Sequence, residues 1–335
     1  MSTSLPGAPP TLLYRKVADV WYRPRMDRLP TLGVTLVWIL VAALHAQSQA
    51  PKMSKVLIAH RGASAYAPEH TLSAYRLAIR QHADYVEQDL AVTRDGVLIC
   101  LHDDSLERTT NVEEMFPQRA TVDPITGRRQ WLAVDFTLAE IKQLDAGTWF
   151  DPKFAGERVP TWEEAVALVG TAAGLYPELK TPSLYQSRGI DMTRLFAESM
   201  QRLRLTSRPA GSLILQSFDE RPLRELSKQF PAVPRTFLIE VRDGARWLTR
   251  EGLAEIATFA TGIGPSKVLL VGQPGIVRMA HDAGLTVTPY TFTTQGARTR
   301  FADVGAEMRH YLTDLNVDAL FTDNPDRFPR DAGSR

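Results

Sequence analysis

Short apolar runs alternate with amphipathic stretches along most of the chain. Eight runs have strand character, and each after the first is preceded by a helical pattern, except that a long excursion follows the second. They are VLIAH, DYVEQD, LYPELK, LILQSF, RTFLIE, KVLLV, TVTPYT and ALFTD. Such alternation requires parallel strands joined by helical crossovers. Eight units in the roughly 285 residues after residue 50 predict a closed α/β TIM (β/α)8 barrel.

An open doubly wound sheet is the competing arrangement for the same alternation. The first strand is not followed by GxGxxG, so the usual sign of a dinucleotide-binding fold is absent from the sequence. The barrel is therefore the preferred prediction.

A ninth apolar run, GVLICLH from Gly96 to His102, interrupts the alternation. It follows the second strand through the short link AVTRDG, in which DG is a strong hairpin signal. Because so short a link cannot make a parallel crossover, this run is predicted to pair antiparallel with the strand before it. A turn centred near residue 95 then places His102 across from position 88, beside Glu87 and Asp89.

The first strand ends in the sequence HRG. Four buriable residues, Val56 to Ala59, precede His60 and Arg61, which stand where the strand opens into a loop. Gly62 permits a tight turn there, since a residue without Cβ reaches backbone dihedrals closed to others. By itself this pattern is more typical of an ordinary polar loop, so the other strand ends decide its interpretation.

Three carboxylates fall at predicted strand ends. Glu87 and Asp89 are two residues apart on one strand, so their side chains share a face. Glu178 and Lys180 share a face in the same way at the end of the next barrel strand. Carboxylates so placed repel unless a cation or protons lie between them, and oxygen donors suit Ca²⁺ or Mg²⁺. We expect a divalent-metal site here; the alternative is a set of surface salt bridges.

Composition narrows the function classes. The chain has 335 residues, 44% hydrophobic and 23% charged, with a formal net charge of +1. The net charge is close to zero and the sequence contains no block of lysines and arginines, so nothing in the composition predicts binding to nucleic acid. The single cysteine, Cys100, excludes an internal disulfide.

The N-terminus has the pattern of an export signal. Basic residues at 23, 25 and 28 precede an apolar run from Leu32 to Leu44, and the small or polar sequence AQSQA follows from Ala46. The run is shorter than the ~20 apolar residues that a membrane span needs. We expect cleavage after Ala46, a periplasmic or secreted enzyme, and no stable membrane insertion afterwards. An uncleaved membrane anchor is the alternative.

Six motifs stand in order between about Val56 and Phe328: HRGASAYAPEHT, YVEQDLAVTRDG, LHDDSLERTT, PELK, LQSF and FTDNP. In order and spacing they resemble the glycerophosphodiester phosphodiesterase family. The stretches ADYVEQDLAVTRDG and VDFTLAEIK are most similar to the bacterial periplasmic enzyme of that family. The resemblance implies a TIM barrel over residues 51–335, with residues 104–160 as a small insertion after the second strand and its hairpin. Residues 1–50 are then the leader.

The resemblance also implies a set of site residues. They are His60 and His102 as the general acid and base, Glu87, Asp89 and Glu178 as metal ligands, and Arg61 and Lys180 on the substrate phosphate. The implied reaction is metal-dependent hydrolysis of a small-molecule glycerophosphodiester to sn-glycerol 3-phosphate and an alcohol. Because the predicted ligands are oxygen donors and the protein is expected to be exported, Ca²⁺ is favoured over Mg²⁺. Which histidine acts first, which alcohol leaves, and whether water or a glycerol hydroxyl attacks all stay open at this point.

Two other functions compete with this one. A lysophospholipase D or sphingomyelinase D-like enzyme would act on lipid headgroups, and an exposed apolar rim around the barrel mouth would favour it. A non-catalytic barrel would be indicated by loss of a site residue, and the chain retains all of them.

Several neighbouring residues carry weaker expectations. Glu69 is expected to brace Arg61 or His60, Asp103 to orient His102 or to serve a turn, and Thr71 to cap the following helix. His70 and Cys100 are not expected to touch substrate. Four residues near later strand ends are candidates for the pocket wall: Gln216, Phe218, Tyr290 and Phe321.

Overall fold

The computed structural model describes residues 55–209, 211–295 and 300–332, so the predicted leader lies outside the described residues. The strands are β1 (Val56–Ala59), β2 (Tyr85–Val92), β3 (Leu98–Cys100), β4 (Thr121–Val122), β5 (Arg129–Gln130), β6 (Gly174–Leu179), β7 (Leu215–Ser217), β8 (Arg235–Ile239), β9 (Gly262–Pro265), β10 (Thr286–Val287) and β11 (Ala319–Thr322).

Helices lie between most of these strands. They are α1 (Leu72–Arg80), α2 (Val112–Met115), α3 (Leu138–Ile141), α4 (Trp162–Val169), α5 (Pro182–Ser187), α6 (Met192–Arg202), α7 (Glu220–Gln229), α8 (Gly244–Trp247), α9 (Arg250–Ile256), α10 (Pro274–Asp282) and α11 (Val304–Thr313). Among the described residues, no helix has the length and apolar content needed to cross a membrane.

Eight parallel strands form the central sheet, in the order β10, β9, β8, β7, β6, β2, β1, β11. Its two ends are joined by backbone hydrogen bonds, because the N–H groups of Asp318 and Phe321 donate to the carbonyls of Val287 and Pro289. Helices or loops connect successive strands around the outside. The predicted TIM barrel is confirmed, and its strands bring their carboxyl ends to one face.

The predicted hairpin is also confirmed. β3 pairs antiparallel with β2, with Leu90 opposite Cys100. The pairing continues past β3, since the Leu101 N–H donates to the Asp89 carbonyl at 2.9 Å. This register carries His102 to the carboxylate-bearing end of β2, as the turn position predicts. Cys100 is buried and unpaired with any other cysteine.

One strand prediction was wrong. The run KVLLV is not a strand; Lys267–Leu270 is a 3-10 turn, and the barrel strand is the preceding GIGP segment, β9. Glycine and proline have low β propensity, so the sequence pattern concealed this strand. A Cβ on Gly264 would lie 2.5 Å from the end of the Leu238 side chain on β8 and 3.3 Å from the Thr288 carbonyl oxygen, so a larger residue there would require these neighbours to shift.

The segment 104–160 holds short elements, among them α2, α3 and the two-stranded hairpin β4–β5. Its buried aromatic side chains, including Trp131 and Phe136, pack within the main hydrophobic core. The segment therefore lies against the barrel directly after His102.

Local sequence explains how the first helix is placed. Thr71 is the N-cap of α1 and its hydroxyl accepts the Ala74 N–H at 3.2 Å, as predicted. Gly62 has φ +86°, and a Cβ there would meet the Ala74 backbone at 2.8 Å. The turn after β1 therefore depends on glycine, which packs this loop against the start of α1.

Candidate active site

A cavity of about 200 Å³ opens at the carboxyl ends of the strands. The structure brings all seven residues of the implied site to it, although they lie on four strands or strand ends. They are His60, Arg61, Glu87, Asp89, His102, Glu178 and Lys180. The four later residues expected in the pocket wall are there too: Gln216, Phe218, Tyr290 and Phe321.

Each cavity histidine is held by a carboxylate. His60 Nδ1 lies 2.7 Å from Asp323 Oδ1, which also accepts the Ser64 hydroxyl at 3.0 Å. His102 Nδ1 lies 2.6 Å from Asp103 Oδ1, so the orienting role expected of Asp103 agrees with the structure. A carboxylate accepts a hydrogen bond, and the proton is therefore assigned to Nδ1 in both rings. Nε2 of each ring is left for other partners.

Three buried carboxylates lie beside the histidines. Asp89 on β2 is in register with Glu178 on β6, and Glu87 precedes Asp89 on the same face. The side chains of all three are nearly inaccessible to solvent. β-sheet pairing thus concentrates three acids at one point of the barrel mouth.

Burial and mutual repulsion shift the protonation of this cluster. Burial, and then the charges of Asp89 and Glu178, hold the pKa of Glu87 well above its usual range. Burial also raises the pKa of Glu178 to about 8, despite the nearby Lys180 ammonium. Asp89 differs: burial opposes its ionisation, but Lys180 and His70 hold its pKa well below the usual value. Without a cation, the cluster retains protons that a divalent metal would replace.

His70 is a member of the site that sequence reasoning missed. Its ring is buried, with Nε2 2.8 Å from Asp89 Oδ2 and Nδ1 2.9 Å from the Tyr75 hydroxyl. Ligand atoms of His70, Glu87 and Asp89 all lie within 4.8 Å of one another, a grouping able to hold a metal ion. The only signal in the sequence was its place in PEHT, directly before the helix N-cap Thr71.

This grouping overlaps the implied ligand set without matching it. It contains Glu87 and Asp89 but not Glu178, whose Oε1 lies 3.2 Å from the Lys180 ammonium. A distance of 2.8 Å from His70 Nε2 to Asp89 is that of a hydrogen bond, which uses the nitrogen that a metal would need. We therefore interpret His70 as a brace for Asp89, a common partner of metal-binding carboxylates.

The two cationic side chains lie against the acids. The Arg61 backbone N–H donates to Glu87 Oε2 at 2.6 Å, a direction set by its left-handed φ of +56°. Its guanidinium donates to Glu69 at 3.0 Å and has Nε 3.4 Å from Asp89. The bracing role expected of Glu69 therefore agrees with the structure. Burial opposes the charge of Arg61, but the acids around it raise its pKa, so it stays a cation.

The comparisons with known proteins agree with this geometry. Residues 60–327 match the glycerophosphoryl diester phosphodiesterase family. The chain belongs to this family. It is 34% identical to a glycerophosphodiester phosphodiesterase from Bacillus subtilis (strain 168), over 91% of this chain and 96% of that one. A glycerophosphodiester phosphodiesterase from Haemophilus influenzae is 29% identical, over 89% and 97% of the two chains.

Solved structures of phosphodiesterases share the fold of this chain. A glycerophosphodiester phosphodiesterase from Agrobacterium tumefaciens aligns with a TM-score of 0.61 and 27% identity, over 82% of this chain and 98% of that one. A phosphodiesterase from Oleispira antarctica, 24% identical, shares the fold with a TM-score of 0.65 over 84% and 98% of the two chains. The chain is accordingly an enzyme of the glycerophosphodiester phosphodiesterase class, a phosphoric diester hydrolase.

Proposed function

We propose that the chain hydrolyses glycerophosphodiesters to sn-glycerol 3-phosphate and an alcohol. Acid–base catalysis comes from His60 and His102, with a divalent metal bound by Glu87, Asp89 and Glu178. The observation that carries the proposal is the meeting of two carboxylate-held histidines and three buried acids at one cavity. The relatives from Bacillus subtilis and Haemophilus influenzae, named for this activity, support it.

The two histidines move the protons of the reaction. Asp323 and Asp103 hold the rings at Nδ1, so Nε2 is the atom that exchanges a proton with substrate. One ring in its neutral form accepts the proton of the attacking group, which is either water or a glycerol hydroxyl of the substrate. If the glycerol hydroxyl attacks, water then opens the resulting cyclic phosphate to give sn-glycerol 3-phosphate. The other, in its protonated form, donates to the oxygen of the departing alcohol. Positioned proton transfer of this kind accelerates a reaction by roughly 10² to 10⁴.

Arg61 and Lys180 bind the phosphate. A phosphodiester is a monoanion, and negative charge gathers on its phosphoryl oxygens in the transition state. Two fixed cations at the cavity wall stabilise that charge most where water is excluded. Lys180 remains charged because Glu178 and Asp89 outweigh the effect of its burial and raise its pKa.

The acids fit a hard cation. Glu87, Asp89 and Glu178 would hold such a metal, which would supply positive charge to offset that of the phosphate and to make the attacking group more acidic. Glu87, Asp89 and Glu178 offer only oxygen donors, which suits Ca²⁺ or Mg²⁺, and we propose Ca²⁺ for an exported enzyme. The raised pKa values of Glu87 and Glu178 support this assignment, because these groups ionise fully only when a cation offsets their repulsion.

We also propose that the enzyme is exported. The basic flank, the apolar run from Leu32 to Leu44 and the small residues from Ala46 support cleavage after Ala46 and a periplasmic or extracellular location.

The test is an assay of the purified protein on glycerophosphocholine, glycerophosphoethanolamine, glycerophosphoglycerol and glycerophosphoinositol. Release of sn-glycerol 3-phosphate is measured before and after chelation, and after Ca²⁺ or Mg²⁺ is added back. The variant His60→Ala, folded by circular dichroism, is the negative control. We expect hydrolysis that chelation abolishes and a divalent ion restores. Absence of sn-glycerol 3-phosphate from all four substrates refutes the proposal.

One observation favours lysophospholipids as a second substrate class. Val241, Val268 and Val271 follow the carboxyl ends of β8 and β9 and are 49–58% exposed, so this side of the barrel mouth has apolar positions. Exposed apolar side chains at a mouth suit an acyl chain. Adding lysophosphatidylcholine to the substrate panel tests it; hydrolysis slower than that of glycerophosphocholine by a factor of about 100 or more rejects this candidate.

A further inference from the structure

Arg108 lies at the start of the segment that follows His102, and it has none of the roles assigned above. Its Nε donates to Asp103 Oδ2 at 2.5 Å. Its two terminal nitrogens donate to the two oxygens of Glu69, at 2.9 and 2.7 Å. The side chain is 43% exposed, so one face meets solvent while its donors point inward. One guanidinium therefore joins two carboxylates that are 34 positions apart in the chain.

Each of these carboxylates also holds a residue of the proposed catalytic site. Asp103 accepts from His102 Nδ1 through its other oxygen, at 2.6 Å. Glu69 accepts from Arg61 at 3.0 Å. An unbroken line of hydrogen bonds thus runs from His102 to Arg61, and Arg108 is its centre.

The same hydrogen bonds determine whether Glu69 and Asp103 are ionised. Burial opposes ionisation of Glu69, but hydrogen bonds from Arg108 and the charge of Arg61 lower its pKa to about 2. Burial also opposes ionisation of Asp103, but its hydrogen bonds with His102 and Arg108 lower its pKa. Both acids are ionised at neutral pH. Each hydrogen bond that Arg108 donates to them is therefore charge-assisted and stronger than one between neutral groups.

The shape of arginine matters here. A guanidinium presents its donors in a rigid plane, which allows a bidentate bond to Glu69 together with a bond to Asp103. A lysine ammonium is a point charge on a flexible stem and cannot reproduce that geometry. The hydrogen bonds of Arg108 therefore set the distance between Asp103 and Glu69 as well as compensating their charge.

We propose that Arg108 is a positioning residue that sets where His102 stands relative to the phosphate-binding Arg61. This inference rests on the roles proposed above for those two residues. Arg108 is not part of the cavity wall, and its hydrogen bonds reach His102 through Asp103 and Arg61 through Glu69. Its loss leaves Arg61 and Lys180 able to bind phosphate but loosens the proton-transfer geometry, which affects kcat more than KM.

The experiment compares Arg108→Ala with the parent on glycerophosphocholine. We expect kcat to fall roughly 10- to 100-fold with KM within about threefold, because small displacements of catalytic groups have effects of this size. Methylguanidinium added to Arg108→Ala should restore part of kcat by occupying the vacated space. It should not change the parent or His102→Ala. Arg108→Lys should regain less than a tenth of the lost kcat.

Arg119→Ala is the matched control. Arg119 lies in the same segment, is 31% exposed, and pairs with Glu140 away from the cavity. It should lower thermal stability and leave kcat unchanged. Parental kcat in folded Arg108→Ala, or a loss that Arg119→Ala reproduces, overturns the inference. If Arg108→Ala does not fold, parental kcat in Arg108→Lys overturns it instead. A parent inactive on every glycerophosphodiester refutes the proposed function itself, which is a separate result.

Discussion

Asp323→Asn is the substitution that most directly tests the orientation of His60. Asp323 follows β11 and accepts from His60 Nδ1 at 2.7 Å and from the Ser64 hydroxyl at 3.0 Å. Asparagine keeps the size of the side chain and one acceptor but removes the charge that stabilises a protonated ring. A hydrogen bond to a charged group contributes about 1.5–3 kcal/mol. At about 1.4 kcal/mol per factor of ten, kcat should fall roughly 10- to 100-fold.

The assay measures kcat and KM for glycerophosphocholine at saturating metal. We expect KM to stay within about threefold, because His60 acts on the proton in the transition state and Asp323 does not bind the phosphate. Asp318→Asn is the control: Asp318 lies 2.9 Å from His281 and lines a different cavity, at the amino ends of the strands. It should change stability without changing kcat.

A pH series of unfolding experiments gives a second measurement. Burial raises the pKa of Asp323, but the hydrogen bond and charge of His60 outweigh it, and the net pKa is lowered. A carboxyl whose folded-state pKa lies below its unfolded value of about 3.9 stabilises the folded protein above that pH. The parent's stability advantage over Asp323→Asn should therefore be present above about pH 4 and diminish as the pH falls further. Parental kcat in folded Asp323→Asn, or an equal loss in Asp318→Asn, refutes the reasoning.

Further predictions concern the metal and the N-terminus. Exhaustive chelation should abolish hydrolysis and Ca²⁺ or Mg²⁺ should restore it; full activity in a sample free of metal contradicts the proposed site. Because the pKa of Glu178 is about 8 without metal, a cation must displace its proton, so affinity in calorimetric titration should rise from pH 6 to pH 8. An affinity independent of pH argues against Glu178 as a ligand. His70→Leu removes the donor to Asp89 and should weaken metal binding roughly 10- to 100-fold, with a smaller loss in His70→Asn, which retains a donor; equal affinity in all three proteins excludes the brace. N-terminal sequencing of the exported protein should begin just after Ala46, whereas a start upstream of Leu32 in the membrane fraction indicates an anchor.

Much of the site follows from spacing along the chain. Strand residues two apart share a face, so Glu87 and Asp89 had to point the same way wherever the strand lay. A short link with a DG turn can only make an antiparallel hairpin, which carries His102 back to Asp89. The alternation of strands and helices predicted the barrel for a related reason, since a parallel strand requires a crossover. These inferences are local, and local backbone geometry suffices for them.

Contacts that depend on closure of the barrel could not be predicted in this way. Asp323 reaches His60 across 263 positions because β11 pairs with β1, a neighbour relation that no pattern near either residue encodes. The GIGP strand was missed for a similar reason, since its glycines are explained only by side chains of adjacent strands. The contact between His70 and Asp89 could not be predicted either, because it depends on the left-handed backbone of His70 and on where β2 lies relative to the loop after β1.

The sequence by itself determined the fold class, the family and the residue types of the site. Only the tertiary structure decided which acid holds which histidine and how Arg108 spans Asp103 and Glu69. The physical reason is range: strand pleating and turn geometry act over a few residues. A hydrogen bond between side chains depends on positions that the whole closed sheet sets together.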